Sequence, residues 1–181
     1  MTDIRYTRRP LVRRETPARL VDLAGDEFEG YASLFGVPDG AGDVVARGAF
    51  AASLRRRPPD KVRMLYQHSA LEPIGVWDVI REDSRGLYVR GHLVLDVTRA
   101  REVRALIREG ALNGLSIGFR TLRATRAVKT GLRNLTEIEL WEISVVTFPL
   151  LAGSRVTAVG GDAAPLANTI RKAAHDLRRQ T

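Results

Sequence analysis

The sequence predicts a mainly β fold of the α+β class, a closed or partly closed antiparallel β-barrel surrounded by helices. Three observations carry this. Strand-like runs recur along most of the chain, only two segments inside the domain have a helical period, and strands and helices never alternate as βαβ units would require. Proline and glycine clusters separate the runs, as turns between antiparallel strands do.

Residues 1–26 are Arg-rich, carry Pro10 and Pro17 and show no period, so they are read as a basic arm. The domain spans 27–159. In EFEGYASLFG, Phe28, Gly30, Ala32 and Leu34 alternate with Glu29, Tyr31 and Ser33, which predicts a strand. VPDGAGDVV is turn chemistry. RGAFAASLRRRPP predicts a short helix, with Phe50 and Leu54 four apart and Pro58-Pro59 as its stop. KVRMLYQH is strand-like, and IGVWDVI and GLYVRGHLVL flank the turn REDSRG as a hairpin. TRAREVRALIREG predicts the main helix, with Thr98 as its cap, a stripe of Val103, Leu106 and Ile107, and Gly110 at its end. LSIGFRTLRATRAV returns to extended chain, TGLRN turns, and LTEIELWEISVVTFP predicts a long, bent strand closed by Pro149. Residues 160–181 open on Gly-Gly and place Leu166, Ile170, Ala173 and Leu177 on one helical face, a tail appended to the domain.

The chain has 181 residues, 44% of them hydrophobic, enough for one domain with its own core. No apolar run is long enough to span a bilayer, and no membrane role is expected. The absence of cysteine excludes disulfides, thiol nucleophiles and thiolate metal sites. No cofactor or metal is expected. The net charge of +8 favours acidic partners, but the arginines are scattered. Only Arg55-Arg56-Arg57 cluster inside the domain, without interleaved aromatics, so specific nucleic-acid binding is not expected.

Gly114-Leu115-Ser116-Ile117-Gly118 matches G-x-S-x-G, the pattern of a hydrolase nucleophile elbow. The context rejects the elbow. An elbow needs a strand before the serine and a helix after it, and here a helix precedes Ser116 and extended chain follows. An elbow's histidine also follows its serine, and only His175, in the tail, does so. A serine still needs a base near neutrality, and His68, at the end of a strand-like run, is better placed than His92, which alternates with Val94 inside a strand. The imidazole in turn needs a carboxylate to orient it. Glu142, between Trp141 and Ile143 in an apolar run, is the attractive one; Glu137 and Glu139 share its face in more polar surroundings.

The motifs GYASLFG, GDVVARGAF, LYQHSALEPIGVW, GLYVRGHLVL, EVRALIREGALNGLSIGF and LWEISVVTFP, in this order, resemble the HK97-type prohead (procapsid maturation) proteases of tailed phages, prophages and gene transfer agents. The resemblance covers about residues 27 to 158. It implies serine endopeptidases with a herpesvirus-assemblin-like fold. The family's histidine falls on His68, its serine on Ser116 and its acid on Glu142, in the stretch Glu142-Ile143-Ser144. The family's usual P-A-N-x-x-A ending is altered here to FPLLAGSRVTAV. It further implies cleavage of the scaffold segment of the major capsid protein and of the protease itself, a homo-oligomer as a further possibility, and a location in the bacterial cytoplasm, inside the procapsid. The arm and tail would be docking or self-cleaved segments, with ordinary disordered ends as the alternative. The rival expectations are a non-enzymatic internal scaffold of the same fold and, behind it, a basic nucleic-acid-binding module.

Overall fold

A computed structural model describes residues 25–160; most of the arm and nearly all of the tail, with His175, lie outside them. The strands are β1 (Glu27–Leu34), β2 (Asp43–Val45), β3 (Arg63–Tyr66), β4 (Ser69–Glu82), β5 (Gly86–Leu93), β6 (Gly114–Arg126), β7 (Arg133–Val146) and β8 (Val156–Val159). The helices are α1 (Ala51–Arg56) and α2 (Thr98–Arg108). All the strands belong to one curled, half-barrel sheet of order β2-β7-β3-β4-β5-β1-β8, with β6 on the other edge of β7.

The core lies on the concave side. Phe28, Trp77, Leu87, Val89, Leu115, Leu140 and Ile143 are all at most 2% exposed. They come from five different strands, so the sheet cannot uncurl without exposing them. Phe28 meets Trp77 edge-on at 5.5 Å. The apolar face of α2 is Ala100, Val103 and Ile107. Leu106 was expected in that stripe but is 42% exposed, because positions three and seven beyond Ala100 define the inward face. Thr98 does not cap α2 either. Val97 is the cap residue, and the Thr98 hydroxyl accepts from Arg101. Gly110 ends the helix as expected, with φ +72°.

The sheet is not purely antiparallel. β2 and β3 lie end to end along one edge of β7, and both run parallel to it. The chain between them carries α1, which occupies the gap along that edge. Ala49 C=O accepts from Ile138 N–H, and Ser53 Oγ accepts from Leu140 N–H. Two backbone donors of β7 in that gap are thus satisfied. β2 fell inside a segment read as turn, and β8 was not expected; both are too short to show a period.

The bend expected in the last long strand is a β-bulge. Gly118 pairs with Glu142, and the next pair is Phe119 with Leu140, so Trp141 is the extra residue. The bulge shifts the alternation. Ile138 and Leu140 face the core on one side of it, and Ile143 and Val145 on the other. Without it Glu142 would not share the outer face of Glu137 and Glu139.

Candidate active site

The site forms where β6, β7 and β3 run side by side. β7 supplies Glu142 and Ser144, which are two residues apart on a strand and so share a face. β6 brings Ser116 directly opposite Ser144, and Gly118 directly opposite Glu142. Opposed residues on neighbouring antiparallel strands have Cβ atoms about 5 Å apart. Leu115 and Ile143 point the other way, into the core.

His68 arrives from the other side, on the turn joining β3 to β4. Tyr66 pairs with Ser69, leaving only Gln67 and His68 between the strands. Their φ angles are +51° and +60°. Positive φ at both central residues is the mark of a type I′ hairpin, which ordinarily takes Asn-Gly or Gly-Gly. Two side-chain-bearing residues here are held in a costly conformation, on the order of 1–3 kcal/mol each. Their surroundings hold them there. Gln67 N–H donates to Val145 C=O at 3.0 Å, and its side-chain amide donates to Thr147 Oγ1 at 2.6 Å. His68 N–H donates to Ser144 Oγ at 3.1 Å.

On that turn the imidazole reaches Glu142, with Nδ1 and Oε1 2.6 Å apart. The proton between them belongs on Nδ1, because a carboxylate only accepts; Nε2 is then left as an acceptor. The Glu142 side chain is 12% exposed and His68 45%. The hydrogen bond to Glu142 raises the His68 pKa above its ordinary value, with burial acting in the opposite direction. Glu142 Oε2 accepts from Ser144 Oγ at 2.6 Å.

Gly118 makes the space for this carboxylate. A Cβ on Gly118 would overlap Glu142 Oε1. The glycine that completed the apparent elbow pattern is thus a seat for an acid on the neighbouring strand. Beside Ser116 a cleft opens, lined by Ser33, Val37, Asp39, Ile117 and Leu151 among others.

Of the residues expected from sequence, His68 and Glu142 are hydrogen-bonded, and Ser116 stands on the same face across β6–β7 without a hydrogen bond to His68. His92 stands apart, bonded to Asp78 at 3.0 Å on the β4–β5 surface. Glu139 pairs with Arg57 and Arg120, and Glu137 with Arg123. Ser144, hydrogen-bonded to both Glu142 and the His68 backbone, was given no part in the sequence reading beyond its place in the stretch Glu142-Ile143-Ser144. Its spacing of two from Glu142 on a strand was the available signal.

The family model of the caudovirus prohead serine proteases matches residues 14–168. The chain belongs to this family of prohead serine proteases. Within it, the prohead protease of Enterobacteria phage HK97 is 40% identical over 124 residues, which are 67% of this chain and 55% of that protein. The chain thus spans about half the length of that relative. Among solved structures, the bacteriophage T4 capsid assembly protease superposes with a TM-score of 0.56 at 12% identity, covering 72% of this chain and 92% of that one. That likeness bears on the fold of this prohead-protease chain. A protease of KSHV, crystallised with a hexapeptide phosphonate, covers 72% of this chain and 63% of its own at a TM-score of 0.47 and 11% identity, too distant to support the expected assemblin likeness.

Proposed function

We propose that this chain is a serine endopeptidase of procapsid maturation, in which Ser116, His68 and Glu142 form the catalytic triad. The observation that carries the reading is the 2.6 Å pair of His68 Nδ1 with Glu142 Oε1, on the face of the sheet where Ser116 lies. An imidazole oriented by a carboxylate, with Nε2 free to accept, is what a serine hydroxyl needs to become a nucleophile.

The reaction is acyl transfer. Ser116 Oγ attacks the scissile carbonyl as His68 Nε2 takes its proton. Glu142 holds the tautomer and stabilises the imidazolium that forms. The tetrahedral intermediate collapses as His68 gives the proton to the leaving amine. Water then hydrolyses the acyl-enzyme by the same steps. Ser116 and His68 close to hydrogen-bonding distance when a substrate is seated, as catalytic contacts that are long in free enzymes do.

The curled sheet is read as a barrel closed at Gly114 and Arg155, supported by Leu115 N–H to Ser154 C=O and Val156 N–H to Asn113 C=O, each 2.9 Å. Closure there would fix the start of β6, and with it Ser116. The substrates proposed are the scaffold segment of the major capsid protein and the protease's own ends, residues 1–26 and 160–181, cut inside the procapsid in the bacterial host. Co-expression with the major capsid protein, read by intact mass, tests this. Wild type should shorten the capsid protein, and Ser116→Ala and His68→Ala should leave it whole. Cleavage by Ser116→Ala would refute the nucleophile, and an intact capsid protein with wild type would favour the non-enzymatic scaffold reading.

A further inference from the structure

We propose that Ser144 is a positioning residue for the pair of His68 and Glu142, an inference that rests on the triad reading above. Its hydroxyl makes two contacts at once. It donates to Glu142 Oε2 at 2.6 Å and accepts the His68 backbone N–H at 3.1 Å. One buried oxygen therefore touches both the carboxylate that orients the imidazole and the backbone that carries it.

Both partners need that help. A glutamate side chain has three rotatable bonds, and its carboxylate can swing unless both oxygens are held. Oε1 is taken by His68 Nδ1 and Oε2 by Ser144. The backbone at His68 has φ +60°, a conformation that ordinary residues leave unless surrounding contacts hold it. Its N–H has the Ser144 oxygen as its acceptor in the turn. Ser144 itself is held firmly. It is 0% exposed, lies in the middle of the paired β3–β7–β6 ladder, and opposes Leu65 on one side and Ser116 on the other. Buried hydroxyls that merely fill space are replaced by alanine at small cost. One that joins two members of a relay couples their geometry.

The test compares Ser144→Ala, Ser144→Thr and Ser144→Val in the full chain. The readout is the rate at which a fluorophosphonate labels Ser116, with adducts located by peptide mapping. Loss of one hydrogen bond to a charged group should slow labelling about tenfold to a hundredfold in Ser144→Ala. Threonine, which keeps the hydroxyl, should label faster than the nearly isosteric valine, and this pair decides the matter if alanine does not fold. A second readout isolates the positioning role. The His68 Nδ1 proton, held in a short bond to the carboxylate, should resonate far downfield in wild type and shift upfield in Ser144→Ala. In a Glu142→Gln background the alanine substitution should add a smaller further loss than in wild type, since part of its effect passes through Glu142 and only the contact with the His68 backbone is then left to lose. Equal labelling rates in wild type and Ser144→Ala, or an unmoved downfield proton, would overturn the role given to Ser144 while leaving the triad standing. Absence of a Ser116 adduct in wild type would overturn the triad and this inference together.

Discussion

In the proposed triad His68 is the base, and it sits on a turn of two strained residues. Its raised pKa comes first from the hydrogen bond to Glu142, which favours the charged ring. A general base must be neutral, so activity should rise with pH through a midpoint above the ordinary imidazole value of 6.5. Glu142→Gln should move that midpoint to lower pH and cut the plateau by roughly 10²–10⁴-fold, since the tautomer is no longer enforced. A pH–rate profile of the two proteins checks this, and an unmoved midpoint would contradict it. The linkage to folding has a definite sign. A pKa raised in the folded state stabilises the protein fully below the unfolded value and loses that contribution as pH climbs through the folded one. Urea unfolding should therefore show Glu142→Gln destabilised mainly on the acid side of this window. The pairing of His68 with Glu142, with Ser116 on the same face, was legible in the sequence through the order of their motifs. The positive φ of Gln67 and His68 was not, because neither residue type announces a type I′ turn.

The β6–β7 ladder is the element that assembles the site, and its register is what the sequence could not reveal. Alternation places every second residue on one face, but a bulge resets the count, and nothing in Leu140-Trp141-Glu142 marks Trp141 as the extra residue. Gly118 belongs to this scale. A methyl group there would displace the Glu142 carboxylate, so Gly118→Ala should lose Ser116 labelling by about a hundredfold or more while costing only about 1–3 kcal/mol of stability. Circular dichroism melting alongside fluorophosphonate labelling separates the two effects. Loss of fold rather than loss of labelling would assign the glycine to the core instead of the site. The parallel placement of β2 and β3 was equally hidden, since pairing partners far apart in sequence leave no local pattern.

Over the whole molecule, the mainly β class was legible because alternation survives in most of the strands. The curl of the sheet rests on side chains that meet from distant strands. Trp77, 2% exposed and edge-on to Phe28, is the largest of them. Trp77→Ala should cost about 3–5 kcal/mol in urea unfolding. Trp77→Phe should cost clearly less, because it keeps most of the volume and removes an indole N–H that has no hydrogen-bond partner. A loss as large as that of alanine would point to a partner for that N–H. Stability, however, only holds the stage for Ser116. The most direct test of the central claim is the site at which the full chain reacts with a fluorophosphonate, mapped by mass spectrometry. One adduct is expected, on Ser116, lost in Ser116→Ala and nearly lost in His68→Ala. An adduct on another serine, or one on Ser116 that forms as fast without His68, would contradict it.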